Sequence, residues 1–182
     1  MKIMGLDIST SVIGITILDE NFSIDLMTHI TFKSSMNLYE KADHALEQFW
    51  EIFDKHRAMD KIYIEEPVLS YSPGRSSAQT IMTLAKFNYI LSYELRLHQN
   101  RDPIHITVGE ARKACGIKTQ QRKKCGLSHK EQCSAYLMQT DLQHISFPKT
   151  KNGNYKNFVA DEIDSYVIAK AGVVFQNRLN EK

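Results

Sequence analysis

Little in this chain could staple or anchor it. Three cysteines (Cys115, Cys125, Cys133) in 182 residues are an odd and sparse set. That argues against a disulfide framework and for a reducing compartment. No apolar run approaches the ~20 residues of a membrane span. The opening residues read as a strand and not as a charged-then-apolar leader, so a cytoplasmic protein without membrane contact is expected. Repeats and low-complexity tracts are missing. Hydrophobic residues make up 42% and charged residues 24%, enough for one domain over 1–182 with a real core. The net charge of +2 is too small to define a partner. Local absences of acid say more. Residues 111–130 contain no Asp or Glu, yet hold Arg112, Lys113, Lys118, Arg122, Lys123, Lys124 and Lys130. Residues 145–160 again lack acids and hold Lys149, Lys151 and Lys156. Gathered positive charge suits phosphate backbones; a solvated face balanced by acids elsewhere is the plainer reading.

The chain is organised around residues 2–20. Lys2-Ile3-Met4-Gly5-Leu6-Asp7-Ile8 reads as one strand and Val12 to Glu20 as another, joined by Ser9-Thr10-Ser11. So short a link predicts a hairpin. Asp7 stands inside an apolar strand, where a lone buried carboxylate is costly. It must cap a turn or meet a partner or a metal. A third strand over 23–32 completes an antiparallel meander. Residues 37–57 place Leu38, Ala42, Ala45, Phe49 and Phe53 at helical spacing. Lys61-Ile62-Tyr63-Ile64-Glu65-Glu66-Pro67 is a strand stopped by proline. A strand reached through a helix runs parallel to an earlier one, which brings Glu65 beside Asp7. Alternation sends Glu65 and Glu66 to opposite faces, so only one of them belongs to a shared site.

Residues 68–80 read as a loop in which Leu69, Tyr71 and Arg75 are placed to touch substrate. A helix over 78–97, a strand over 103–108 and a short helix over 109–115 follow, then a polar, basic and mobile stretch over 116–127. Ser128 and Glu131 form a capping box that opens the next helix. After a loop over 141–157, the last helix runs 158–179. Asp161 and Asp164, three apart, share a helix face. Asp7, Glu65, Asp161 and Asp164 are therefore four carboxylates from three elements. All-oxygen donors suit Mg²⁺ or Mn²⁺ over zinc. A pair of such ions serves in-line displacement at phosphorus.

Four segments in order, Gly5-Leu6-Asp7, Ile64-Glu65, Ser128-His129-Lys130-Glu131-Gln132 and Ala160-Asp161-Glu162-Ile163-Asp164 followed by Val167-Ile168-Ala169, resemble the RuvC-type Holliday junction resolvases. These are a branch of the ribonuclease H-like superfamily. The resemblance spans almost the whole chain. It implies an α/β fold, a five-stranded mixed sheet flanked by helices. It further implies a homodimeric crossover junction endodeoxyribonuclease of DNA recombination and repair, which nicks two strands of a four-way junction symmetrically with Mg²⁺, Mn²⁺ substituting. On it, Asp7, Glu65, Asp161 and Asp164 are metal ligands, Lys130 contacts the scissile phosphate, and Arg112 stands for a second basic residue. Arg112, Lys113, Lys118, Arg122, Lys123, Lys124, Lys130, Tyr71 and Arg75 are the expected DNA contacts. Two features depart from the bacterial pattern. Ile8-Ser9-Thr10-Ser11 replaces a usual Pro-Gly, and no aromatic aligns just after the glutamate strand, where Val68 stands near the register and Tyr71 beyond. The longer basic stretch 116–127 resembles the phage and poxvirus branch, which would place the protein in a host cytoplasm.

Other readings compete. Cys115, Cys125, His129 and Cys133 could supply four zinc ligands, though no Cys-x-x-Cys pair occurs. Sugar or acetate kinase-like ATPases also open on a Gly-x-Asp hairpin, but need a second such domain and a phosphate-binding glycine loop. A non-catalytic DNA-binding protein would keep the fold and use the acids structurally. The nearest rival is the same chemistry on flaps, forks, other branched DNA or RNA–DNA hybrid.

Overall fold

The computed structural model describes residues 1–57, 59–67 and 77–180. Five strands, β1 (Lys2–Ile8), β2 (Val12–Asp19), β3 (Ile24–Thr31), β4 (Lys61–Glu65) and β5 (Ile104–Ile106), form one mixed sheet in the order β3-β2-β1-β4-β5. The first three are the expected antiparallel meander. β4 lies parallel to β1, and β5 parallel to β4. The hairpin between β1 and β2 is closed by Ser9. Its Oγ accepts from Val12 N–H at 3.0 Å and donates to Val12 O at 2.7 Å. Asp7 is thus not the turn-former, and its carboxylate is left for another purpose.

Strand alternation sorts the sheet into two faces. Met4, Leu6, Ile13, Ile15 and Ile17 pack against α1 (Leu38–His56) and α2 (Ala78–Gln99) through Ala45, Phe49, Phe87 and Leu91. Ile3, Leu18 and Tyr63 face α6 (Phe158–Asn180) and its Val159, Ile163 and Val167. Gly5 and Asp7 share the face of Ile3, and Glu65 shares that of Tyr63. Both acids therefore point toward α6.

Two glycines let that helix come close. A Cβ on Gly5 would lie 2.3 Å from Ala169 N, and one on Gly14 2.0 Å from Asp161 O. Such distances are impossible for real side chains, so α6 rests on bare strand backbone. Thr16 and Ser165 hydroxyls, 2.8 Å apart and fully buried, bind the same two elements.

The remaining helices are α3 (Val108–Ala114), α4 (Arg122–Cys125) and α5 (His129–Gln139). The capping box at Ser128 and Glu131 is present, with further boxes at Asn37/Glu40 and Thr107/Glu110. The stretch 116–127, expected as irregular, instead contains the turn of α4. It is tied to α5 by Gln132, whose side chain accepts from Gln120 N–H at 2.7 Å and donates to Gln120 O and Leu127 O, each at 2.9 Å. Among the described residues no helix is long and apolar enough to cross a membrane.

Candidate active site

Asp7, the penultimate residue of β1, lies one register step beyond the Leu6–Ile64 pair, so Glu65 at the end of β4 is its neighbour. The first two turns of α6 bring Asp161 and Asp164 to the same place. All four line a cleft of about 410 Å³ with Lys130 and Arg112, floored by Ile8, Ser9 and Pro67 and walled by Ile81, Leu84 and Val108. Glu66 does not line it, as alternation predicts. Lys130, projected by the first turn of α5, places Nζ 2.7 Å from Asp164 Oδ2 and 3.4 Å from Asp161 Oδ1. The five residues singled out from the sequence as catalytic thus converge in one place.

Negative charge dominates the cleft. Burial, then the charges of Glu65 and Asp164, push the Asp7 carboxyl well above its ordinary range. Burial and Asp164 push Glu65 up to about 7. Burial raises Asp164 as well, against the pull of Lys130. For Lys130, burial works against the ammonium, but Asp164 outweighs it, with Asp7 and Asp161 adding, and its pKa is held above the usual lysine value. One ammonium therefore does not offset the negative charge gathered here.

That surplus, and a donor set made only of carboxylate oxygens, fit a hard divalent cation. Among the described residues no three His, Cys, Asp or Glu side chains are already drawn together as a metal-binding group. The carboxylates are arranged around the lysine instead. The zinc reading finds no cluster either. Cys133 is buried, Cys125 is exposed with its thiol on Gln121 O and Leu127 O, and Cys115 donates to Val167 O.

Several supporting residues are not apparent from the sequence. Glu162, between the two α6 acids, is buried and accepts from His29 Nδ1–H of β3 at 2.7 Å, while Phe158 stacks on the same imidazole at 3.6 Å. This latch fixes the helical turn that carries Asp161 and Asp164. Asn88 Nδ2 of α2 donates to Glu65 O at 3.1 Å, and His105 Nε2–H and Ser92 hold Asn88 in turn. Glu162 reads as part of an acidic run and His29 as an ordinary strand residue. Their pairing crosses 133 positions and leaves no local signal.

The expected DNA contacts are spread about this pocket. Arg112 lines it, and Arg112, Lys113 and Lys118 line an adjoining groove with His129. Arg122, Lys123 and Lys124 are exposed on α4. Tyr71, Arg75, Leu69 and Val68 lie outside the described residues.

No family model matches the sequence, and no curated protein matches it. Solved structures do. Thermus thermophilus RuvC in complex with Holliday junction substrate is similar over 98% of this chain and 96% of that one, with a TM-score of 0.68 at 9% identity. A further Thermus thermophilus RuvC structure gives 0.63 at 11% identity over the same shares. The yeast mitochondrial Holliday junction resolvase gives 0.55 at 16% identity, over 98% and 80%. At these identities the likeness establishes the fold. The chain has the ribonuclease H-like architecture, and its similarity runs to junction resolvases of the RuvC type.

Proposed function

We propose that this chain is a metal-dependent endodeoxyribonuclease that resolves four-way DNA junctions by paired symmetric nicks. The observation that carries the reading is the pocket: four carboxylates from β1, β4 and α6 meet one lysine on the fold of the junction resolvases. Asp7, Glu65, Asp161 and Asp164 would hold two divalent ions, Mg²⁺ with Mn²⁺ substituting. When bound, these supply an acidified water and charge stabilisation for displacement at phosphorus. The chain's own residues do the rest. Lys130 donates to a non-bridging phosphate oxygen and supports the charge that develops there. Arg112, which also lines the cleft, holds the adjoining phosphate. Apolar walls from Ile81, Leu84 and Val108 keep the effective dielectric low, so each of these charges counts for more than in water. Lys113, Lys118, Arg122, Lys123 and Lys124 guide the backbone, with Tyr71 and Arg75 contributing from the segment after β4.

Paired nicking needs two pockets at a fixed separation. The exposed stripe Met82, Tyr89, Tyr93 and Leu97 along α2 supports a homodimer through that helix. The same helix lines the cleft, which would couple the two sites. The basic stretch 116–127 supports a place with the phage and poxvirus branch, acting in a host cytoplasm. The test is a panel of labelled substrates with Mg²⁺: four-way junction, flap, fork, linear duplex and RNA–DNA hybrid. Symmetric nicks in the junction alone are expected. Equal cutting of flaps, forks or hybrid would leave the metal chemistry and replace junction resolution with a less selective nuclease.

A further inference from the structure

The second acid-free stretch has no part in the pocket described above, yet the fold brings it to the pocket's edge. Residues 148–156 form a small hairpin, with a bridge between Lys149 and Tyr155, Thr150 N–H donating to Asn154 O at 2.7 Å and Lys156 N–H to Pro148 O at 3.1 Å. Lys149, Lys151, Tyr155 and Lys156 are all exposed on it. Lys149 Nζ sits 5.0 Å over the Tyr155 ring, and Phe147 meets that ring edge-on. Tyr155 borders a cleft of about 610 Å³ whose other side is Arg122, Ser128, Lys130 and Ser134. Lys130 also lines the carboxylate pocket, so the two depressions share a wall. The acid at this cleft is Glu131, and its carboxylate is turned to the helix cap, accepting from Ser128 N–H at 2.6 Å. Tyr155 and Arg122 thus bring the two acid-free stretches to one cleft beside the carboxylate pocket, and Lys156 lines the depression that adjoins it.

We propose that this groove is a second backbone-binding site for the nucleic-acid strand beyond the scissile phosphate. The lysines of the 148–156 hairpin and Arg122 meet its phosphates, and Tyr155 offers its ring to a base or sugar. The chemistry favours a polynucleotide over a small anion. The positive groups are spread over the cleft and the hairpin at its edge and not gathered at one point, and an exposed aromatic with an adjacent cation is a stacking platform. The inference rests on the nuclease reading above and adds to it a strand path and the elements that grip it.

The test measures junction affinity against salt in an Asp7→Asn background, which removes cleavage from the readout. Lys149→Ala/Lys151→Ala/Lys156→Ala should flatten the slope of log affinity against log salt by about 2, from three charges at roughly 0.7–0.9 each. The loss should be roughly tenfold in affinity at physiological salt. Tyr155→Leu, which keeps an apolar side chain against Phe147, should weaken binding without changing the slope. Lys55→Ala, on α1 at the far end of the sheet, is the control. Arms shortened until the strand no longer reaches the hairpin should erase the difference between the triple variant and its parent. An unchanged slope and affinity in the triple variant, with the parent binding junction tightly, overturns the groove and leaves the nuclease reading intact. A parent that binds no branched DNA, in a wild type that cuts none, overturns both. Should the triple variant fail to fold, single Lys→Gln changes give the same readout at about one charge each.

Discussion

Burial and the charge of Asp164 push the Glu65 carboxyl up to about 7, against an ordinary 4.5. The folded protein therefore binds more protons than the unfolded chain between those values, and stability falls as pH rises through that window. His105, whose pKa burial lowers, works in the opposite sense. The difference between wild type and Glu65→Gln reports this carboxyl together with the rise its charge imposes on Asp7. In EDTA, the variant should be more stable than wild type at pH 8 by on the order of 2 kcal/mol, and the gap should close toward pH 4.5. Denaturant melts across that range check it; a constant gap would take Glu65 out of the acid cluster. Added Mg²⁺ should stabilise wild type by linkage and Glu65→Gln far less. At this scale the acids of the cleft were legible because each breaks a local rule: a carboxylate in an apolar strand, or two on one helix face. The residues that hold them were not. Asn88 and Ser92 read as polar breaks in a helix face, and their meeting with His105 arises only once β5 pairs with β4.

Among the elements, α6 sets the height of the site. Its first turn lies directly on Gly14, and Asp161 O occupies the space a Cβ there would need. Gly14→Ala should lift that turn, cost about 1–3 kcal/mol by overpacking, and lower cleavage far more than junction binding. His29→Ala should give the milder form of the same defect, since it releases Glu162 and leaves the backbone contact in place. Cleavage, binding and denaturation measured together check both. Equal cleavage by Gly14→Ala and wild type would separate the helix seat from catalysis. The meander, the parallel β4 and the long helices followed from short links, the crossover rule, helical spacing and the cap at Ser128. The turn Arg122–Cys125 did not, because four residues carry no periodicity and its Gln121 cap makes no side-chain hydrogen bond. Gly14 reads as an ordinary break in a strand; only the packed helix shows what its missing side chain permits.

For the whole molecule, a net charge of +2 hides a segregated surface. Four of the acids meet in one cleft with Arg112 and Lys130 of the first acid-free stretch, and Tyr155 of the second borders the neighbouring cleft. Met82, Tyr89, Tyr93 and Leu97 line neither cleft, so a dimer formed through them would leave each cleft open. Tyr89→Asp/Tyr93→Asp should give monomers by sedimentation, and should turn paired resolution of a plasmid cruciform into single, uncoordinated nicks. A dimer that persists in this variant would remove α2 as the interface. The fold was legible from four ordered segments because each marks an element end facing the same cleft. The exposed stripe on α2 keeps helical spacing, but beside the buried residues of the same helix it cannot be told in sequence from one broader apolar face. The central claim is that the four carboxylates form a metal-dependent nuclease centre for branched DNA. Its most direct test is cleavage of a labelled four-way junction by wild type and Asp7→Asn, with Mg²⁺ and with EDTA. The account predicts paired nicks from wild type with Mg²⁺ alone, and none from a folded Asp7→Asn that still binds the junction. Cleavage by Asp7→Asn at the wild-type rate, or by wild type in EDTA, would contradict it.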